Sequence, residues 1–147
     1  MILVDTSALI AVTDPREAWH EAAAATWRRL REARERFLVT DLILAETIAW
    51  LRRRAGHDVA LRAGELLMSS AVTELVFVDQ ALLQQAWLLF RRHRDQELSL
   101  TDCVSFALLR ARKLQRAFAF DDDFRALGFE LVGPVEAPPP RPRRPRR

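Results

Sequence analysis

The sequence predicts an α/β fold, with a central parallel sheet of about five short strands flanked by helices. Two observations carry that prediction. Short apolar stretches rich in β-formers alternate with longer stretches of helical periodicity, the pattern of successive βαβ units. Several of the junctions carry Ser, Thr or Asp where a helix needs an N-cap.

The elements follow in order. "ILVD" is a first strand that ends on a carboxylate, Asp5, and passes into a short helix from Ser7. Asp14-Pro15 with Glu17 has the form of an N-cap, a first-turn proline and a capping-box acid, opening a long helix to about Glu35. "RFLVT" is a second strand, and Thr40 caps a helix running through Leu51 to Gly56. Asp58 caps another helix to about Ser70. "TELVFV" is a third strand, rich in β-branched residues, and Asp79 starts a helix to about His93. After the polar connection "RDQELS", Ser99 caps a helix to about Leu114. "AFAF" is a fourth strand, Asp121 to Leu127 a short helix, and "FELV" the last strand.

Gly133-Pro134 closes the fold, giving a folded domain over 1–133 and a Pro/Arg-rich tail over 134–147. The tail is too poor in apolar side chains to build a core and is expected to be disordered or extended. It also dominates the charge. Of 23 basic residues against 20 acidic ones, five are arginines in the final "RPRRPRR", so the body alone carries 18 against 20.

A chain of 147 residues with 50% apolar and 29% charged residues fits one globular domain. No apolar run approaches the ~18 residues of a membrane span. The first residues lack the basic start and cleavage site of a signal peptide. Cys103 is the only cysteine, so no internal disulfide can form and a reducing, cytoplasmic setting is expected. The basic residues are 22 Arg and one Lys, a skew that fits a high-GC bacterial genome.

Four acids stand in unusual company. Glu46 is the only charge in "LILAETIAWL", on a helix apolar nearly all round and therefore expected to be largely buried. A buried carboxylate needs a partner, a proton or a metal, and no basic residue lies within one helical turn. The alternatives are an ion pair with a distant arginine or a functional role. Asp102 is the only charge in "LSLTDCVSFALL", where Ser99 and Asp102 also match a capping box. Asp121 follows "AFAF" directly, as Asp5 follows "ILV". Asp122 has the bland explanation of a solvated helix-start acid, favoured by the helix dipole, and Asp123 shares it in part. Carboxylates converging from two strand ends and two helices repel one another and call for a counterion. Hard divalent ions such as Mg2+ or Mn2+ suit an all-oxygen donor set, and the chemistry they serve is phosphodiester hydrolysis.

In that order and context, "VDTSAL", "LILAET", "LSLTDCVSFALLR" and "AFAFDDDFRALGF" resemble the four acidic motifs of PIN-domain ribonucleases, notably VapC toxins of type II toxin–antitoxin systems. The resemblance covers about residues 2 to 132. It implies a PIN-like three-layer fold with the acidic quartet on Asp5, Glu46, Asp102 and Asp121. Asp123 falls on a position often acidic in the family and is expected to help hold metal, while Thr6 and Ser7 are the supporting polar positions. Further implications are Mg2+- or Mn2+-dependent cleavage of RNA, a homodimer, and a cognate VapB-type antitoxin that covers the acidic pocket.

Two other readings keep the fold: a housekeeping RNA-processing nuclease and a non-catalytic RNA-binding or interaction domain. A phosphatase of the haloacid dehalogenase type needs a second Asp where Ser7 stands, and a response-regulator receiver needs a lysine after its last strands, whereas Lys113 lies within a helix. His20, His57 and His93 share no ligand spacing and are expected at the surface. Cys103 is expected in the core. Trp19, Trp27, Trp50 and Trp87 follow core patterns and are candidates for an interface.

Overall fold

Ile2, Leu3 and Val4 are apolar without alternation, the signature of a strand covered on both faces, and all three are fully buried. In a computed structural model of the protein, which describes residues 1–133, they form β1 (Ile2–Val4). The other strands are β2 (Phe37–Thr40), β3 (Thr73–Val76), β4 (Arg116–Phe118) and β5 (Glu130–Leu131). All pairings are parallel, in the order β3-β2-β1-β4-β5. Leu3 lies opposite Leu38 on one side and Ala117 on the other. The tail expected over 134–147 lies outside the described residues.

Seven helices connect and flank the strands among the described residues: α1 (Thr6–Thr13), α2 (His20–Glu32), α3 (Asp41–Ala55), α4 (His57–Ser69), α5 (Gln80–Arg92), α6 (Leu100–Ala111) and α7 (Asp123–Ala126). From β1 the chain moves outward through β2 to β3, then returns to β4 on the other side of β1 and continues to β5. The connections leaving β1 and β4 therefore diverge, and the gap between the carboxyl ends of these two strands is the switch point where open α/β sheets bind ligands.

The predicted caps at Thr40, Asp79 and Ser99 are present. Thr40 accepts from the Ile43 amide at 3.2 Å, Asp79 from that of Leu82 at 2.8 Å, and Ser99 from that of Asp102 at 3.0 Å. Two other caps are not where the sequence put them. Asp14 does not open α2; it terminates α1, and its carboxylate is taken by Arg16, which approaches through its amide at 3.0 Å and its guanidinium at 2.9 Å. Residues 15–19 consequently turn, and α2 begins at His20 with no side-chain cap. Asp58 sits inside the first turn of α4, which is capped instead by Gly56. Gly56 closes α3 and opens α4 at φ +92°, a left-handed backbone that favours glycine.

The core is continuous beneath the sheet edge that matters. In α6, every residue from Cys103 to Leu109 is buried, and Phe106 meets Phe124 edge-on at 4.8 Å and stacks on Phe129 at 5.9 Å. Those contacts fix α6 and α7 relative to one another. Trp19 packs on Phe120 and Trp27 on Phe37, so these two belong to the core. Trp87 is half exposed and stacks on Phe90. Cys103 is buried as expected. His20 is half-buried, with Nδ1 2.9 Å from the Ala11 carbonyl oxygen. Among the described residues, no helix is long and apolar enough to cross a membrane.

Candidate active site

Asp5 follows β1 directly and is only 5% exposed. It is also the N-cap of α1: Oδ2 accepts from the Ser7 amide at 3.0 Å and from the Ser7 hydroxyl at 2.7 Å. Cap and strand-end acid are thus the same residue in the same geometry. Its own amide donates to the Phe118 carbonyl at 3.0 Å, which registers it against the end of β4. The Ser7 hydroxyl in turn accepts from the Phe120 amide at 3.1 Å, immediately before Asp121. One serine therefore links the ends of β1 and β4 across the switch point.

Asp102 lies in the first turn of α6. The capping box is complete, with the Ser99 amide donating to Asp102 Oδ2 at 2.7 Å. That contact occupies one carboxylate oxygen and holds the side chain at the helix mouth. Asp121 is exposed after β4, and its Oδ1 accepts from the Asp123 amide at 3.1 Å. Asp122 points into solvent with its side chain 89% exposed and pairs with Arg125. Asp123 is half-buried, deeper than a solvated helix-start acid.

Glu46 departs from expectation. It is exposed, as are Ala45 and Ala49 beside it, because only one face of α3, bearing Ile43, Thr47 and Leu51, is fully buried. Among the described residues, no arginine pairs with it. Its carboxylate is held by two threonines: Thr6 Oγ1 donates to Oε2 at 3.0 Å and Thr101 Oγ1 to Oε1 at 2.6 Å. Thr6 follows Asp5 in the chain and Thr101 precedes Asp102. Thr101 did not stand out in the sequence, although its place beside an acid mirrors that of Thr6.

The electrostatics run through the same residues. Burial pushes the Asp5 carboxyl up to about 6, opposed by the Ser7 hydrogen bonds and assisted by the Asp102 charge. Burial raises Asp102 as well, opposed by Ser99 and assisted by Asp121 and Glu46. Asp123 is raised to about 6, first by burial, then by the charge of Asp121 and its hydrogen bond to that residue, with smaller effects of Asp102 and Asp122. Asp102 is the node: it feels Asp121 and Glu46, and its charge acts on Asp5 and Asp123. The fold thus brings Asp5, Glu46, Asp102 and Asp121 into one field, with Asp123 at its edge.

A hard divalent ion fits this donor chemistry, which is all oxygen and carries mutually repelling charge. Among the described residues no group of three or more His, Cys, Asp or Glu side chains forms a ready-made cage. An ion of the Mg2+ kind keeps several waters and needs no closed protein cage. A separate cavity of about 480 Å3, lined by apolar residues including Leu9, Val12, Trp27 and Leu67, contains none of the acids.

Residues 2–130 match the PIN domain family. The chain is 37% identical over 134 residues to the 23S rRNA-specific endonuclease VapC20 of Mycobacterium tuberculosis, in strain CDC 1551 / Oshkosh and equally in strain ATCC 25618 / H37Rv. Each alignment covers 91% of this chain and 99% of the relative. The crystal structure of Mycobacterium tuberculosis VapC20, described as a Sarcin-Ricin loop cleaving toxin, superposes with a TM-score of 0.81 at 36% identity. That match covers 91% of this chain and 100% of the other.

Proposed function

The chain belongs to the PIN domain family, and from that premise we propose that it is a VapC-type endoribonuclease toxin that cuts 23S ribosomal RNA at the acidic site between β1 and β4. The observation that carries the reading is the convergence of acids from four separate segments on the switch point, in a chain 37% identical to a 23S rRNA-specific endonuclease over nearly the whole of both. PIN nucleases work with a divalent metal; Mg2+ or Mn2+ is the proposed ion here. Asp5, Asp102 and Asp121 are the residues that would hold it, with Glu46 and Asp123 alongside. When bound there, such an ion supplies Lewis acidity at the phosphate and lowers the pKa of an attacking water.

The rest is the work of the chain's own groups. Ser7 and the Phe118 carbonyl fix Asp5 within the sheet. Ser99 orients Asp102, and the two threonines orient Glu46. At neutral pH Asp5 and Asp123, with values of about 6, are mostly ionised and able to accept a cation. The exposure of Glu46 and Asp121 leaves the mouth of the site open to a large substrate.

The reading includes a cognate VapB-type antitoxin that covers the pocket, a bacterial cytoplasmic location and a homodimer. Phe77, Leu83, Trp87, Leu88 and Phe90 leave large apolar side chains in solvent along the segment from the end of β3 through α5, which supports a protein interface there. The deciding experiment is sequencing of RNA ends after brief expression, beside an Asp5→Asn control. New ends confined to one site of 23S rRNA and absent from the control are expected; ends confined to other RNAs would overturn the assigned substrate.

A further inference from the structure

We propose that Thr101 is a positioning residue which, together with Thr6, clamps Glu46 in the orientation it needs toward the other acids. The inference rests on the metal-dependent reading of the acidic site.

A glutamate on an exposed helix face samples many rotamers, and water satisfies its carboxylate. Glu46 is exposed, yet each of its oxygens is engaged by a hydroxyl from a different helix N-terminus. Thr101 reaches it across 55 residues of sequence and Thr6 across 40. The two threonines are adjacent in sequence to Asp102 and Asp5. The clamp therefore couples the acid of the quartet that α3 carries to the segments that carry two others. α3 is itself pinned at both ends: Asp41 Oδ1 accepts from the Val78 amide at 3.1 Å, and Arg16 donates to the Arg54 carbonyl at 2.6 Å. With the helix axis held, the remaining freedom of Glu46 is in its side chain, and the threonines remove it.

A simpler account inverts the dependence. Thr101 is only 7% exposed, so its hydroxyl needs a partner, and Glu46 could serve merely to satisfy it. The two accounts part when the hydroxyl is replaced at constant volume. Thr101→Val removes the need together with the bond; under the simpler account metal binding is unaffected, whereas under the clamp it falls. Residues that orient a metal's ligands change affinity or activity by about 10- to 100-fold when removed.

The test is Mn2+ titration of the full chain followed by thermal melting without RNA, with cleavage kinetics in parallel. Thr101→Val is expected to shift the Mn2+ midpoint upward by about tenfold or more and to lower kcat more than it raises KM. Thr101→Ser, which restores the hydroxyl without the methyl, is expected to recover most of both. Thr6→Val, at the half-buried end of the clamp, is expected to act in the same direction, and the double variant to lose less than the product of the two. Wild-type Mn2+ binding in Thr101→Val would overturn the clamp, as would equal losses in Thr101→Val and Thr101→Ser. Asp5→Asn run beside them separates the failures: if it too leaves Mn2+ binding unchanged, the metal site itself is wrong and the clamp falls with it.

Discussion

Ser7 and Phe120 lie 113 residues apart and meet through a 3.1 Å hydrogen bond, from the Phe120 amide to a hydroxyl that itself donates to Asp5. Ser7→Ala should leave that amide without its partner and strip one donor from a buried carboxylate. Losing a partner of a part-buried polar group costs about 1–3 kcal/mol, so the melting temperature should drop. The Ser7 hydrogen bonds lower the Asp5 pKa against burial; removing the hydroxyl should raise it further and move the acidic limb of the pH–activity curve to higher pH. An unmoved limb would detach Ser7 from the ionisation of Asp5.

Single amide substitutions at the four acids test the catalytic assignment. Asp5→Asn, Glu46→Gln, Asp102→Asn and Asp121→Asn should each lower RNA cleavage by at least about 100-fold, taking the upper end of what an orienting partner contributes as a lower bound for a ligand. Circular dichroism should show the fold retained. Asp122→Asn should be nearly silent, since that side chain is 89% exposed. Near-normal cleavage by two of the four would sink the quartet.

Stability should depend on pH with a sign set by Asp5. A carboxyl raised from 3.8 to about 6 favours the fold while protonated. That advantage is complete below the unfolded value and is gone once the pH has risen past about 6. Asp14 and Glu35 act oppositely. The Arg16 hydrogen bond to Asp14 and the Arg116 hydrogen bond to Glu35 lower those carboxyls, so their contribution is lost as pH falls toward 4.5 and below. In chelator the melting temperature should therefore peak between about 3.8 and 4.5 and decline from there to about 6, beyond which the Asp5 advantage is spent. Asp5→Asn keeps the cap and removes the decline. The displacement of Asp5 corresponds to roughly 3 kcal/mol at most, and the variant should melt above the wild type at pH 7. A lower melting point for the variant would make Asp5 a purely structural cap.

Added Mn2+ or Mg2+ should reverse that order. An ion that binds only the native state stabilises it by about 2.7 kcal/mol at a hundredfold excess over its dissociation constant. The wild type should gain melting temperature in proportion to the logarithm of metal concentration, and Asp5→Asn much less. Equal gains in both proteins would mean binding elsewhere.

The basic end of the chain invites a salt series. Five arginines within "RPRRPRR" can contact phosphates and release counterions, which gives affinity that fades with salt and ignores sequence. Truncation after Val135 should weaken RNA binding at low salt and matter little at high salt. Identical binding curves for the two chains would remove the tail from substrate capture.

Local signals were the legible ones. The apolar run of β1 with Asp5 at its end, and the caps at Thr40, Asp79 and Ser99, could all be read from a few neighbouring residues and occur as expected, whereas β4 stops at Phe118 and leaves Asp121 beyond two irregular residues. Asp14 misled because an Asp-Pro pair fits a turn as well as a helix start, and Arg16 decides between them with a guanidinium that lies outside the capping pattern. Glu46 misled for another reason. Absence of neighbouring charge along a helix does not say which face is covered, and the small residues Ala45 and Ala49 beside it are exposed. What sequence could not convey at all was the pair of threonines that holds it, since contacts spanning 40 and 55 residues leave no local trace.

The strand order has a consequence for how such an enzyme is made. β1 is the third strand of the sheet, and its neighbour β4 is not translated until Arg116–Phe118. Until then Asp5 lacks the Phe118 carbonyl that anchors it and the Phe120 amide that completes its serine. At ~5–20 residues per second, roughly 4–15 s separate the synthesis of Glu46 from that of Asp121. Asp102 joins Asp5 and Glu46 within that interval, but without β4 and Asp121 the growing polypeptide has no assembled site. Nascent chains arrested before Arg116 should lack the cleavage that released full-length chains display, which makes the central position of β1 a delay built into translation.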